Sequence, residues 1–161
     1  MRGIRFVAVG ECMVELFSED PVPVDRAERF RSSFGGDAMQ AGLAASNLGT
    51  PSAVATVAGD DPFASALLSW LERSGISTEL VVRRPGFTGL YLISIDAHAE
   101  RSFAYYRAGS AASTLDVPDV AWPDAPDGLL VSGITQAISE TSRRAALVAA
   151  RRTEEAGGLV V

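Results

Sequence analysis

The residues best placed to do chemistry begin with Gly35-Gly36-Asp37, which opens onto the small-residue stretch from Ala38 to Leu48. Two glycines free the backbone where a helix starts. There the unpaired N–H groups and the positive end of the helix dipole attract oxygen-rich ligands such as a sugar or a sugar acid. A Gly-Gly pair alone is most often only a turn, so its meaning depends on its surroundings. Asp37 could accept hydrogen bonds from sugar hydroxyls or simply cap the helix, and capping is the simpler role. Glu11 follows the first apolar run, at the carboxyl end of a parallel sheet, where open α/β folds bind ligands. It reads equally as an acceptor for sugar hydroxyls and as a solvated loop acid.

A second group lies further along the chain. Side chains two apart on a strand point the same way, so Tyr105 and Arg107 share a face, and a hairpin in the expected register brings Tyr91 to the same side. Two hydroxyls and a guanidinium on one face suit a polyhydroxylated ligand bearing a carboxylate. Spacing alone favours the alternative, an ordinary aromatic strand pair beside a solvated arginine. His98 sits in a hairpin loop with no second histidine to pair with on a metal, and Cys12 reads as a packed small hydrophobe rather than a nucleophile.

The elements that must position these residues follow from periodicity. Residues 4–9 form an apolar run typical of a strand buried on both faces, and residues 12–17 continue as a second extended segment. Residues 26–33 suggest a short strand leading to the Gly-Gly loop. The helix expected over 37–48 is nearly apolar all round and ends at Gly49-Thr50-Pro51. A buried strand follows at 53–58. Asp61 then reads as an N-cap with Pro62 at the first helical position, opening an amphipathic helix that stops at Gly75. Residues 80–82 give a short strand, so the order strand, helix, strand, helix, strand favours a doubly wound parallel sheet. Residues 88–95 and 101–107, rich in β-branched and aromatic types, predict a β-hairpin around the loop 96–100. The Pro-rich stretch 118–126 reads as a surface connection, 129–132 as a strand, and 140–156 as a helix behind the N-cap Ser139. The chain ends in an apolar, buried-type strand at 159–161; left bare, such an edge would be sticky, so the expectation is that residues 1–161 are the N-terminal portion of a longer protein.

Composition narrows the classes. The 161 residues, 47% apolar and 21% charged, fit one soluble globular domain with a sizeable core. A net charge of -6 argues against a nucleic-acid partner. All 14 basic residues are arginine. The single cysteine excludes an internal disulfide and a Cys-based metal cluster, and a reducing, cytoplasmic setting is expected. The N-terminal apolar run is too short for a signal core or a membrane span, so no membrane partner is expected. A nicotinamide-dependent oxidoreductase is disfavoured: the turn Gly10-Glu11-Cys12-Met13-Val14-Glu15 carries one glycine and two acids where the dinucleotide fingerprint needs G-x-G-x-x-G.

Five stretches occur together in a familiar order and spacing: Val9-Gly10-Glu11-Cys12-Met13-Val14-Glu15-Leu16, Phe34-Gly35-Gly36-Asp37, Gly86-Phe87-Thr88-Gly89-Leu90-Tyr91, Tyr105-Tyr106-Arg107 with Gly109-Ser110-Ala111, and Val131-Ser132-Gly133-Ile134-Thr135. In these the chain resembles the ribokinase-like (PfkB) family of carbohydrate kinases, and within it most the 2-keto-3-deoxygluconate kinases. The resemblance implies an α/β, Rossmann-like parallel sheet flanked by helices, with a small β-sheet lid built from about residues 11–33 and 86–107 closing over a sugar acid. It implies substrate contacts at Gly35, Gly36, Asp37, Tyr91, Tyr105 and Arg107, to which the sheet-end argument adds Glu11. Gln40 stands where the family usually has Asn, one methylene shorter, which bears on the exact substrate.

The resemblance further implies ATP and Mg2+ as cofactors, bound mainly beyond residue 161. The family's Asp-x-Asn-x-Arg strand and its Gly-Ala-Gly-Asp segment with the catalytic Asp also fall there. Residues 1–161 are therefore expected to be the sugar-binding portion of one ribokinase-like domain, with no catalytic residue and no turnover alone. The parent would be a cytoplasmic ATP-dependent sugar-acid kinase, and family practice suggests a homodimer through the lid. Alternatives are a ribokinase- or fructokinase-like specificity, or a non-catalytic sugar-binding remnant.

Overall fold

The computed structural model describes residues 3–161; Met1 and Arg2, at the start of the N-terminal segment, lie outside them. In chain order the elements are β1 (Phe6–Val9), β2 (Met13–Ser18), β3 (Phe30–Gly35), α1 (Asp37–Asn47), β4 (Ser52–Ala58), α2 (Pro62–Arg73), β5 (Ile76–Ser77), β6 (Val81–Arg83), β7 (Leu90–Ile95), β8 (Arg101–Tyr106), β9 (Gly128–Val131), α3 (Gly133–Ile138), α4 (Glu140–Glu155) and β10 (Leu159–Val160).

Two sheets result. The larger runs β10-β9-β1-β4-β5, with β6 also pairing β4, and every pairing is parallel. Its central strands carry the buried runs expected of a sheet covered on both faces. Alternation along β4 divides the core: Ala53, Ala55 and Val57 pack with Leu129, Val120, Trp122, Ala145 and Ala149 on one side. Val54 packs with Met39, Leu67 and Leu71 of the α1 and α2 layer, and with Ile76 of β5, on the other. The chain steps from β1 outward to β4 in one direction and later to β9 in the other, so the order reverses at β1. That reversal leaves a crevice at the carboxyl ends of the strands, the usual place for a ligand in such sheets.

The smaller sheet has the order β3-β2-β7-β8 and rises from the same end. In it β7 and β8 form the expected hairpin, with Tyr91 opposite Tyr105, and its loop is closed by the Asp96 carboxylate accepting from the His98 and Glu100 N–H groups. Its link to the core is specific. Asp61 caps α2 by accepting from the Ala64 N–H at 2.9 Å, and the same carboxylate accepts from the backbone N–H and the hydroxyl of buried Thr88, which leads into β7. Burial alone would raise the Asp61 carboxyl, but the Thr88 and Ala64 donors outweigh it and hold it below its ordinary range. Asp61→Ala removes a cap and strands a buried N–H together, an expected loss of about 2–4 kcal/mol in urea unfolding. Asp61→Ser, which still caps α2 but cannot reach Thr88, should recover only part of it; full recovery would mean that the Thr88 contact is immaterial.

Several expectations needed correction. The strand expected at 26–33 lies at Phe30–Gly35, because Asp20 accepts from the Glu28 and Arg29 N–H groups and holds that stretch as a loop. The short strand expected at 80–82 is present as β6, and a further two-residue strand that was not expected, β5, precedes it; the two pair with opposite ends of β4. The Pro-rich stretch 118–126 turns inward: Val117–Val120 is a 3-10 turn, Val120 and Trp122 are buried, and Arg152 donates to both their carbonyls. Helix α1 is buried on one face only, through Ala38, Met39 and Gly42. The terminal strand β10 is an apolar edge of the large sheet, with Leu159 67% exposed, as the expectation of a bare edge has it.

Candidate functional site

The crevice floor is made by two turns. After β1 the chain runs through Gly10, where a Cβ would collide with the Thr135 hydroxyl, so only glycine fits under α3. That hydroxyl donates to the Val9 carbonyl at 3.1 Å and ties the turn after β9 to the end of β1. Glu11 follows and is 1% exposed. The second turn is Gly35-Gly36, where Gly36 has a φ of 125° and a Cβ would stand 2.5 Å from the Glu11 carbonyl oxygen. This close crossing brings the start of α1 against Glu11.

Asp37 is not the helix cap. Gly36 occupies that position without a side-chain bond, and Asp37 is the first helical residue, with Oδ1 accepting from the Ala38 N–H at 2.8 Å. Its Oδ2 is buried with no hydrogen-bond partner, and the same is true of Glu11 Oε2. Buried acceptors in folded proteins are nearly always paired, so two bare carboxylate oxygens on residues of one cavity lining mark a place suited to a ligand donor.

The small sheet supplies the wall. Tyr91 and Tyr105 stand in register with ring centroids 5.8 Å apart, and the Arg107 guanidinium lies 5.1 Å from the centroid of the Tyr105 ring. The shared face expected for Tyr91, Tyr105 and Arg107 is therefore present. Arg107 is half-buried rather than free in solvent: it donates to Glu11 Oε1, joining the wall to the floor. The Tyr91 hydroxyl donates to Glu15 of the neighbouring strand β2. Burial, then the Glu15 carboxylate, push the Tyr91 phenol well above its ordinary range.

The resulting cavity encloses about 530 Å³. It brings together Glu11, Gly36, Asp37, Gln40, Tyr91, Tyr105 and Arg107. Gly35 lies just behind, so close under the Tyr91 ring that a Cβ would overlap the phenol oxygen. The reading of Glu11 as a solvated acid fails on its burial. Burial pushes its carboxyl up, Arg107 opposes that shift, and Asp37 adds to it. Four wall residues were not anticipated: Met13, Arg101, Phe103 and Ile134. Arg101 and Phe103 continue the two-residue period of Tyr105 and Arg107, and Ile134 follows β9 at the same sheet end as Glu11, so both signals were present.

A second hollow of about 630 Å³ lies at the other end of the sheet near Pro51, Gly75 and Thr78. Its Glu72 carboxylate already accepts from the Thr78 hydroxyl, and among the described residues that line it there is no arginine or tyrosine. Among the described residues no three His, Cys, Asp or Glu side chains stand together as metal ligands, and no helix is long and apolar enough to cross a membrane.

Residues 4–161 match the profile of the pfkB family carbohydrate kinases. The chain is 32% identical over 93% of its length to the 2-dehydro-3-deoxygluconokinase of Dickeya dadantii, covering 49% of that protein. It is 29% identical over 94% of its length to the fructokinase of Vibrio alginolyticus, covering 47% of it. The chain thus spans about half the length of the curated relatives it matches. The crystal structure of a PfkB protein from Polaromonas sp. JS666 superposes with a TM-score of 0.90 at 28% identity, over 98% of this chain and 54% of the other.

Proposed function

From the premise that the chain belongs to the pfkB family of carbohydrate kinases, we propose that it carries the sugar-binding portion of an ATP-dependent kinase acting on a 2-keto-3-deoxy sugar acid. The observation that carries this reading is the pairing, across one cavity, of two bare buried carboxylate oxygens with an arginine. Glu11 Oε2 and Asp37 Oδ2 can only accept, so they call for ligand hydroxyls. Arg107 and, at the cavity's outer edge, Arg101 call for a negative group. Tyr105 offers a flat, half-polar wall between them. A polyol with one carboxylate meets all three demands, and the Dickeya relative is named for such a substrate.

ATP would supply the phosphoryl group and Mg2+ would neutralise its charge. In this reading phosphoryl transfer falls to residues outside this span, and the chain's own part is to bind and orient the sugar. The small sheet acts as a lid, comprising about residues 11–33 and 86–107. A neutral-sugar kinase is the competing reading, favoured by one observation: Glu11 already balances the charge of Arg107.

Comparing phosphorylation of 2-keto-3-deoxygluconate, fructose and ribose by the complete gene product separates the two readings. The keto acid is expected to be the best substrate by kcat/KM, and a preference for either neutral sugar would overturn that. Residues 1–161 alone are expected to consume no ATP. Strand β8 is a sheet edge with Phe103, Tyr105 and Tyr106 about half exposed, which supports self-association through the lid. Sedimentation velocity of the complete gene product should show a dimer, and a monomer at high concentration would count against it.

A further inference from the structure

Two carboxylates, Glu11 and Asp37, share the cavity floor with one close cation among the described residues, Arg107. The remaining titratable groups near Glu11 offer no further compensation. The adjacent Cys12 thiol is buried and pushed up to about 12 by that burial and by both carboxylates, so it stays neutral. The Tyr91 proton is committed to Glu15. Arg101 stands beyond Tyr105 and Phe103, further out on the same strand face. Burial already disfavours the charged form of Glu11, and Arg107 is what opposes it.

If the substrate is a sugar acid, the reading on which this inference rests, its carboxylate arriving at Arg107 brings a third negative charge to a site with one near cation. When the guanidinium turns to the ligand, Glu11 is left fully buried beside Asp37 without its counter-ion. An unpaired buried carboxylate neutralises itself rather than remaining charged.

We propose that Glu11 takes up a proton when an anionic sugar acid binds, making it the residue that balances the site's charge and ties affinity for acids, but not for neutral sugars, to pH. The proton comes from solvent and comes to rest on the Glu11 carboxyl. Glu11 then changes from a pure acceptor to a group that can also donate to a ligand oxygen. The site thereby accepts an anion without keeping a third charge, and a neutral sugar leaves the Glu11–Arg107 pair intact.

Calorimetry of the complete gene product with 2-keto-3-deoxygluconate, at one neutral pH in two buffers of different ionisation enthalpy, reads the proton directly. Net uptake is expected for the acid and none for its neutral methyl ester. The dissociation constant for the acid should rise with pH, by up to about tenfold per unit. Glu11→Gln should abolish the uptake and flatten that pH dependence. Binding of the acid by the unsubstituted protein without proton uptake, or uptake that persists in Glu11→Gln, overturns the proposal, and the first arm does not require the variant to fold. Absence of any sugar-acid binding overturns the functional reading itself, and this inference with it.

Discussion

Replacing Arg107 by alanine in the complete gene product should weaken binding of the sugar acid by about 10- to 150-fold, the equivalent of a charge-assisted hydrogen bond worth about 1.5–3 kcal/mol. Binding of ATP should change far less, because Arg107 lies on the sugar wall between Glu11 and Tyr105. The fold should survive. The side chain is 31% exposed, and Glu11, deprived of its partner, can relieve its burial by taking a proton. Arg107→Lys keeps the charge but loses the planar fork and the contact with the ring, so it should recover only part of the affinity. Calorimetric titrations with the sugar acid and with ATP separately would check this. Equal losses for the two ligands would make the effect one of folding, and unchanged affinity for the acid would remove Arg107 from the site.

The parts of the fold legible in the sequence are those with an uninterrupted period. Residues 6–9, 52–58 and 128–131 are short, mostly apolar runs without a charged residue, and each is a central parallel strand. Asp61-Pro62 marks the start of α2 to the residue, since capping and a fixed proline φ are local effects. What the sequence hides depends on distant contacts. Nothing local in Val117-Pro118-Asp119-Val120 announces that Arg84 will hold Asp119 in a two-pronged ion pair while Arg152 binds the carbonyls just beyond, and these bonds pull a proline-rich connection into the core. The two-residue β5 is hidden in the same way, since only its pairing with the start of β4 makes it a strand.

The site divides in the same way. Strand alternation alone puts Tyr105 and Arg107 on one face, and the hairpin register sets Tyr91 directly opposite Tyr105, as the spacing predicts. The Glu11–Arg107 contact spans 96 residues of sequence and joins two separate sheets, so no local rule could reveal it. Asp37 departs from the expected capping role for a geometric reason: the crossing of Gly36 over the Glu11 carbonyl moves the cap position one residue earlier, and the freed carboxylate oxygen becomes part of the cavity floor instead of closing a helix end.

That crossing makes Gly36→Ala the most damaging single substitution to expect. With φ at 125° and ψ at 144°, the residue occupies a region that L side chains rarely adopt, at a cost of about 1–3 kcal/mol. The new methyl would also stand 2.5 Å from the Glu11 carbonyl oxygen, a backbone atom that cannot rotate away. Either α1 or the turn after β1 must shift, and both carry a floor carboxylate, so stability and sugar binding should fall together. Gly35→Ala is the informative contrast. Its methyl would collide with the Tyr91 phenol oxygen, but a side chain can swing aside where a backbone cannot, so the fold should persist while Tyr91 leaves Glu15 and the cavity wall. Urea midpoints and sugar-acid dissociation constants for the two variants should therefore separate: a large loss of both for Gly36→Ala, and a loss mainly of affinity for Gly35→Ala. A Gly36→Ala protein as stable as the original would show that the close crossing is not what builds the floor. Unchanged affinity in Gly35→Ala would show that Tyr91 does not contribute to the wall that meets the sugar.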